Sequence, residues 1–78
     1  MSVFDLTKGE RAIIKSLGVS GSVATRLSSL GITAGKKVTV LSFSLFHGSV
    51  LIRCGAVRVG LRATIAKCIE VEVEKHTS

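Results

Sequence analysis

The sequence predicts a mainly β fold: a small barrel of five short strands, with one helix inserted between the first two strands and a short helical turn before the last. Three observations lead there. The 78 residues include ten valines and six isoleucines but no Pro, Trp or Tyr, and β-branched side chains suit pleated, half-buried surfaces. Several short segments rich in these residues are separated by glycines, and most of them alternate apolar with polar positions. Only one longer segment, Val23 to Leu30, carries its apolar residues at helical spacing. Short antiparallel strands expose edges, and closure into a barrel removes them.

The first element lies around Phe4-Asp5-Leu6 and reaches Gly9, a turn residue. Glu10 to Leu17 reads as a strand, with Ala12 and Ile14 on one face and Arg11, Ile13 and Lys15 on the other. Gly18 and Gly21 bracket a turn, and Ser20 or Ser22 can cap the helix that follows. That helix spans Ser22 to Leu30, with Val23, Leu27 and Leu30 in one apolar stripe. It is rich in weak helix formers and too short to hold alone, so packing of the stripe must sustain it. Gly31 is placed to end it in the left-handed conformation.

Lys36 to Phe43 is the second strand, with Val38 and Val40 on one face and Lys37, Thr39 and Leu41 on the other. Ser42 to Ser49 forms a hairpin connection. Val50 to Cys54 is the third strand and Ala56 to Leu61 the fourth, linked tightly at Gly55. Arg62 to Ala66 makes a short helical turn. Lys67 to Lys75 is the fifth strand, with Ile69, Val71 and Val73 inward and Glu70, Glu72 and Glu74 outward.

Residues 1–78 fit one domain, with no linker, repeat or low-complexity stretch. Lys and Arg exceed Asp and Glu by six, which makes acidic polymers or an anionic membrane face plausible neighbours. The cations are dispersed, with no run longer than two, as on an ordinary solvated surface. Cys54 and Cys68 are isolated thiols without CxxC spacing. No cleavable leader and no apolar run near 18 residues is visible. A reduced, cytoplasmic protein is expected, with structural cysteines.

Three patterns, taken together, resemble a known family. They are Leu6-x-x-Gly9-x-x-Ala12-x-Ile14, Arg26-Leu27-x-x-Leu30-Gly31-Ile32-x-x-Gly35-x-x-Val38, and Leu61-Arg62-x-x-x-Ala66-x-x-Ile69-x-Val71. Their order and spacing are similar to the FeoA family, the small cytosolic component of bacterial ferrous iron transport. The resemblance runs from Phe4 to Glu74, and the central pattern is its most specific part. It implies an SH3-like barrel with an inserted helix and an accessory, non-enzymatic role beside FeoB, a membrane permease with a G-protein domain. The same fold occurs as a C-terminal domain of DtxR-type repressors, whose DNA-binding and dimerisation parts this length does not accommodate. Where the family often has proline before the second glycine of the central pattern, Ala34 stands here. Proline there would add about 0.4–1 kcal/mol through the unfolded state.

Leucines 27 and 30 and glycines 31 and 35 read as core and backbone positions, not chemistry. The partner-binding candidates are Arg26, Phe43, Leu45, Phe46 and His47. Arg26 flanks the helix stripe; it is a surface residue, a partner contact, or an arginine offered to phosphate on a nucleotide-binding partner. The hairpin Phe43-Ser44-Leu45-Phe46-His47 puts apolar side chains where polar ones are expected, which points either to a docking surface or to a barrel plug. His47, Cys54, Cys68 and His76 are scattered, without ligand spacing, so no metal or other cofactor is expected. No nucleophile–base set, phosphate loop or apolar-flanked carboxylate pair suggests an enzyme. The leading function is therefore an interaction module acting on the cytosolic part of FeoB. A basic nucleic-acid-binding barrel is the alternative, weakened by the lack of interleaved aromatics.

Overall fold

The computed structural model describes residues 1–74. Lys75, the expected end of the last strand, and His76 lie outside them. A 3₁₀ turn at Val3–Asp5 precedes β1 (Arg11–Leu17), α1 (Gly21–Ser29) and β2 (Lys37–Phe43). A second 3₁₀ turn, Leu45–His47, leads to β3 (Ser49–Cys54), β4 (Val57–Arg62), α2 (Ala63–Ala66) and β5 (Ile69–Val73). All five strands and both helical segments expected from the sequence are present, each within a few residues of its expected bounds. The strands form one antiparallel sheet in the order β4-β3-β2-β1-β5.

The architecture is the expected five-stranded SH3-like one, but the ring of backbone hydrogen bonds does not close. Among the described residues β4 and β5 stand at opposite ends of the ladder. The helical turn α2 packs on β3, β4 and the Val3–Asp5 turn, and that turn packs on β5. Apolar side chains thus span the distance between the end strands. At the β5 end, Val71 N–H donates to the Met1 carbonyl at 2.8 Å and Ser2 bridges to Glu70.

One apolar cluster fills the interior. Val3, Ala12, Ile14, Val38, Val40, Ile52, Ala66 and Ile69 are completely buried. The alternation seen in β1 and β5 is realised: Ala12, Ile14, Ile69 and Val71 point inward. Glu70 and Glu72 of β5 face outward, whereas Glu74, just past the strand, is half-buried; Lys15 Nζ lies 2.9 Å from Glu72 and Lys37 Nζ 3.0 Å from Glu74.

The joint after α1 depends on backbone geometry. Gly31 adopts φ +81°, a region costly for residues with a Cβ. Its N–H reaches the Ser28 carbonyl at 3.0 Å, and the Ile32 N–H reaches that of Leu27 at 2.9 Å. This pair of bonds is a Schellman motif, and its usual apolar contact is supplied by buried Leu27 and Ile32. Gly35, at φ +90°, then donates to the Ile14 carbonyl at 2.8 Å and seats the joint on β1. At the other end Ser20 is the N-cap by position, but its side chain makes no capping bond, and neither does that of Ser22.

Candidate functional site

Two surfaces carry the residues singled out from the sequence. The first is the β2–β3 connection. The register of β2 shifts between Val40 and Ser42, leaving Leu41 as an extra residue. This bulge reverses the alternation beyond it, so Phe43 joins the core side opposite Val50 instead of following Thr39 outward. Phe43 stacks edge-on with Phe4 at 5.8 Å between centroids, and the His47 ring lies 4.9 Å from that of Phe43. Lys67 Nζ sits 5.2 Å from the Phe4 centroid.

The base of the connection is held by hydrogen bonds. Ser44 N–H donates to the Ser49 carbonyl, Ser49 N–H to Ser44 Oγ and His47 N–H to the Ser44 carbonyl, each at 2.9 Å. Phe46 and His47 adopt left-handed φ values of 65° and 56°. Leu45 is 83% exposed and Phe46 91%. The expected loop therefore divides: Phe43 and His47 are aromatic supports, while Leu45 and Phe46 are presented to solvent.

The second surface is a cleft of about 160 Å³ between α1 and the end strand β4. Val23, Leu27 and Leu30 line it from the helix, Val59 and Leu61 from the strand, and Ile65 from α2. Arg26 and Arg62 supply its charge, and Gly60 lies along its strand side. A Cβ at Gly60 would meet no atom within 4 Å, so the β4 backbone is openly approachable there. Arg26 thus belongs to a concave apolar site. The β4 and α2 contributions had no sequence signal beyond ordinary strand alternation, because the cleft is assembled from segments some thirty residues apart.

The thiols stand apart from both surfaces. Buried Cys54 donates its S–H to the Gly31 carbonyl at 3.7 Å, and burial pushes this thiol's pKa up. Exposed Cys68 contacts the Thr64 carbonyl at 3.3 Å. Among the described residues no three His, Cys, Asp or Glu side chains are grouped to hold a metal ion. In a thiol-labelling time course, Cys68 is expected to react within minutes and Cys54 only on unfolding, because a protonated, buried thiol is a poor nucleophile. Equal rates for both would contradict this placement.

The comparisons bear on the whole chain. The FeoA domain model matches residues 1–73. A search of curated proteins finds no match. Among solved structures, the FeoA protein from Chlorobium tepidum superposes with TM-score 0.92 at 27% identity, over 100% of this chain and 74% of that one. Iron(II) transport protein A from Clostridium thermocellum gives 0.87 at 30% identity, over 94% of this chain but only 45% of that one. Stenotrophomonas maltophilia FeoA, solved with zinc, gives 0.79 at 26% identity, over 92% and 89%. That protein is described as a procaryotic SH3 domain protein and a candidate activating factor of ferrous iron transport.

Proposed function

This chain belongs to the FeoA family, which is linked to ferrous iron transport, and from that premise we propose that it is an accessory protein of iron uptake. It acts by docking on the cytosolic part of a FeoB-type permease, and it works in the cytoplasm. No helix among the described residues is long and apolar enough to cross a membrane. The observation that carries the reading is the α1–β4 cleft. It offers an apolar trough beside two arginines and contains no catalytic side-chain set. Such a trough suits a short segment of a partner that places an apolar side chain next to a carboxylate. Because β4 is an end strand of the ladder, that segment can also pair with its outer edge in extended form.

Nucleic-acid binding is less well supported by the same geometry. Phe4 and Phe43 are engaged with each other, which leaves no aromatic platform on the strands for bases to stack upon.

The test replaces Val59 by Glu, which puts a charge into the trough from a half-buried position. Val59→Glu is expected to abolish capture by the permease's cytosolic part and restoration of iron uptake in a deletion strain. Arg26→Ala is expected to weaken capture about fivefold, the effect of one charge-assisted contact. Circular dichroism shows whether each variant is folded. If both fold and bind as the parent does, the cleft is not the docking site.

A further inference from the structure

We propose that the tip Leu45–Phe46, with the arginines of the β3–β4 hairpin, is a docking surface for an anionic lipid bilayer. The first observation is the tip. A phenylalanine in the left-handed region is disfavoured relative to glycine, yet Phe46 holds φ 65° with its side chain almost wholly in water. Leu45 beside it is nearly as exposed. Two adjacent apolar side chains projecting from a hydrogen-bonded base have the form of an interfacial anchor.

The second observation is charge. From Arg11 to Ile69 the chain contains no Asp or Glu, yet it carries nine Lys and Arg. Glu70 and Glu72 lie on β5 and Glu74 just past it, at the far end of the sheet, where the Met1 amino group, Lys15, Lys37 and Arg11 approach them. The hairpin at the other end has no such compensation. Arg53 stands directly opposite Arg58, and Arg62 lies on the same face as Arg58 by strand alternation. Like charges in register repel, and no ion pair relieves these three among the described residues. An external sheet of negative charge would.

The third observation joins the two. Ala63 N–H, next to Arg62, donates to the Gly48 carbonyl at the root of the loop at 3.0 Å. Arg62 itself is in register with Ser49. On the loop's other side Lys67 lies over Phe4, whose ring neighbours that of His47. An apolar tip with cations on both sides matches the sequence of layers at a bilayer surface, acyl chains beneath anionic headgroups. A protein partner at the tip would explain the exposed side chains but would leave the unpaired arginine register without a role.

The experiment is sedimentation of the purified chain with vesicles, without permease, so that its failure is separable from failure of the proposed function. Binding to phosphatidylcholine vesicles containing about 30% phosphatidylglycerol is expected to exceed binding to phosphatidylcholine alone by at least about tenfold. High salt should reduce it. Phe46→Ser is expected to reduce it about tenfold, and Arg58→Glu with Arg62→Glu by at least that much. The cleft variant Val59→Glu should bind vesicles as the parent does. Equal affinity for both lipid compositions, or a Phe46→Ser chain that binds anionic vesicles undiminished, would overturn the proposal. Loss of permease capture by Phe46→Ser with vesicle binding intact would overturn it in favour of a protein contact.

Discussion

Leu27→Ala is expected to lower the free energy of unfolding by about 3 kcal/mol, within the range for leucine truncation in a packed core. The side chain is 4% exposed, so little water reaches the space it leaves. It is also the apolar half of the Schellman contact, and its carbonyl accepts the Ile32 N–H. Removing it loosens helix packing and helix termination together. For a domain of this size the loss corresponds to a fall in Tm of about 15 °C. Ser28→Ala, one residue along on the exposed side of α1, is the control and should change stability by less than about 0.5 kcal/mol. Urea denaturation of both variants measures the difference. A Leu27→Ala loss below about 1 kcal/mol would mean that the cleft collapses to fill the gap, and that α1 is not held as described.

Phe43 and Phe46, three residues apart, should respond in opposite ways. Phe43→Ala removes the central ring of the Phe4–Phe43–His47 cluster and is expected to cost about 2–3 kcal/mol, at the lower end for a phenylalanine because the ring is only half-buried. Phe46→Gly removes a ring that contributes almost no burial and relieves a left-handed φ, so the chain should be unchanged or more stable by up to about 1 kcal/mol. Thermal melts of the two variants are the measurement. Destabilisation by Phe46→Gly comparable to that by Phe43→Ala would show that the tip is packed rather than presented.

This contrast also marks where sequence reasoning reaches and where it stops. The strands were legible because alternation is local: Ala12 and Ile14, or Ile69 and Val71, announce their shared face within three residues. The helix end was legible because a left-handed residue after Leu30 asks for glycine. Phe43 was not assignable, because its face depends on one extra residue, Leu41, whose register is set by pairing with β3. The open ladder was not legible either, since strand patterns report faces and not which ends meet. Of the candidate surface residues, Arg26 was found by its position beside the helix stripe, but its setting was not. The groove exists only once β4 and α2 are folded against α1, and nothing near Arg26 in sequence foretells Val59 or Ile65.

The unequal ends of the sheet limit how copies of this molecule can stack. A chain that polymerises by strand pairing needs two free edges, one to receive and one to offer. Here Met1 and Ser2 already sit against Val71 and Glu70 on the outer side of β5, whereas among the described residues no strand covers the outer edge of β4. Two copies could pair β4 to β4, and each would then be saturated. The fold thus leaves β4 the freer of its two edges, and pairing of copies there closes a pair instead of seeding a chain.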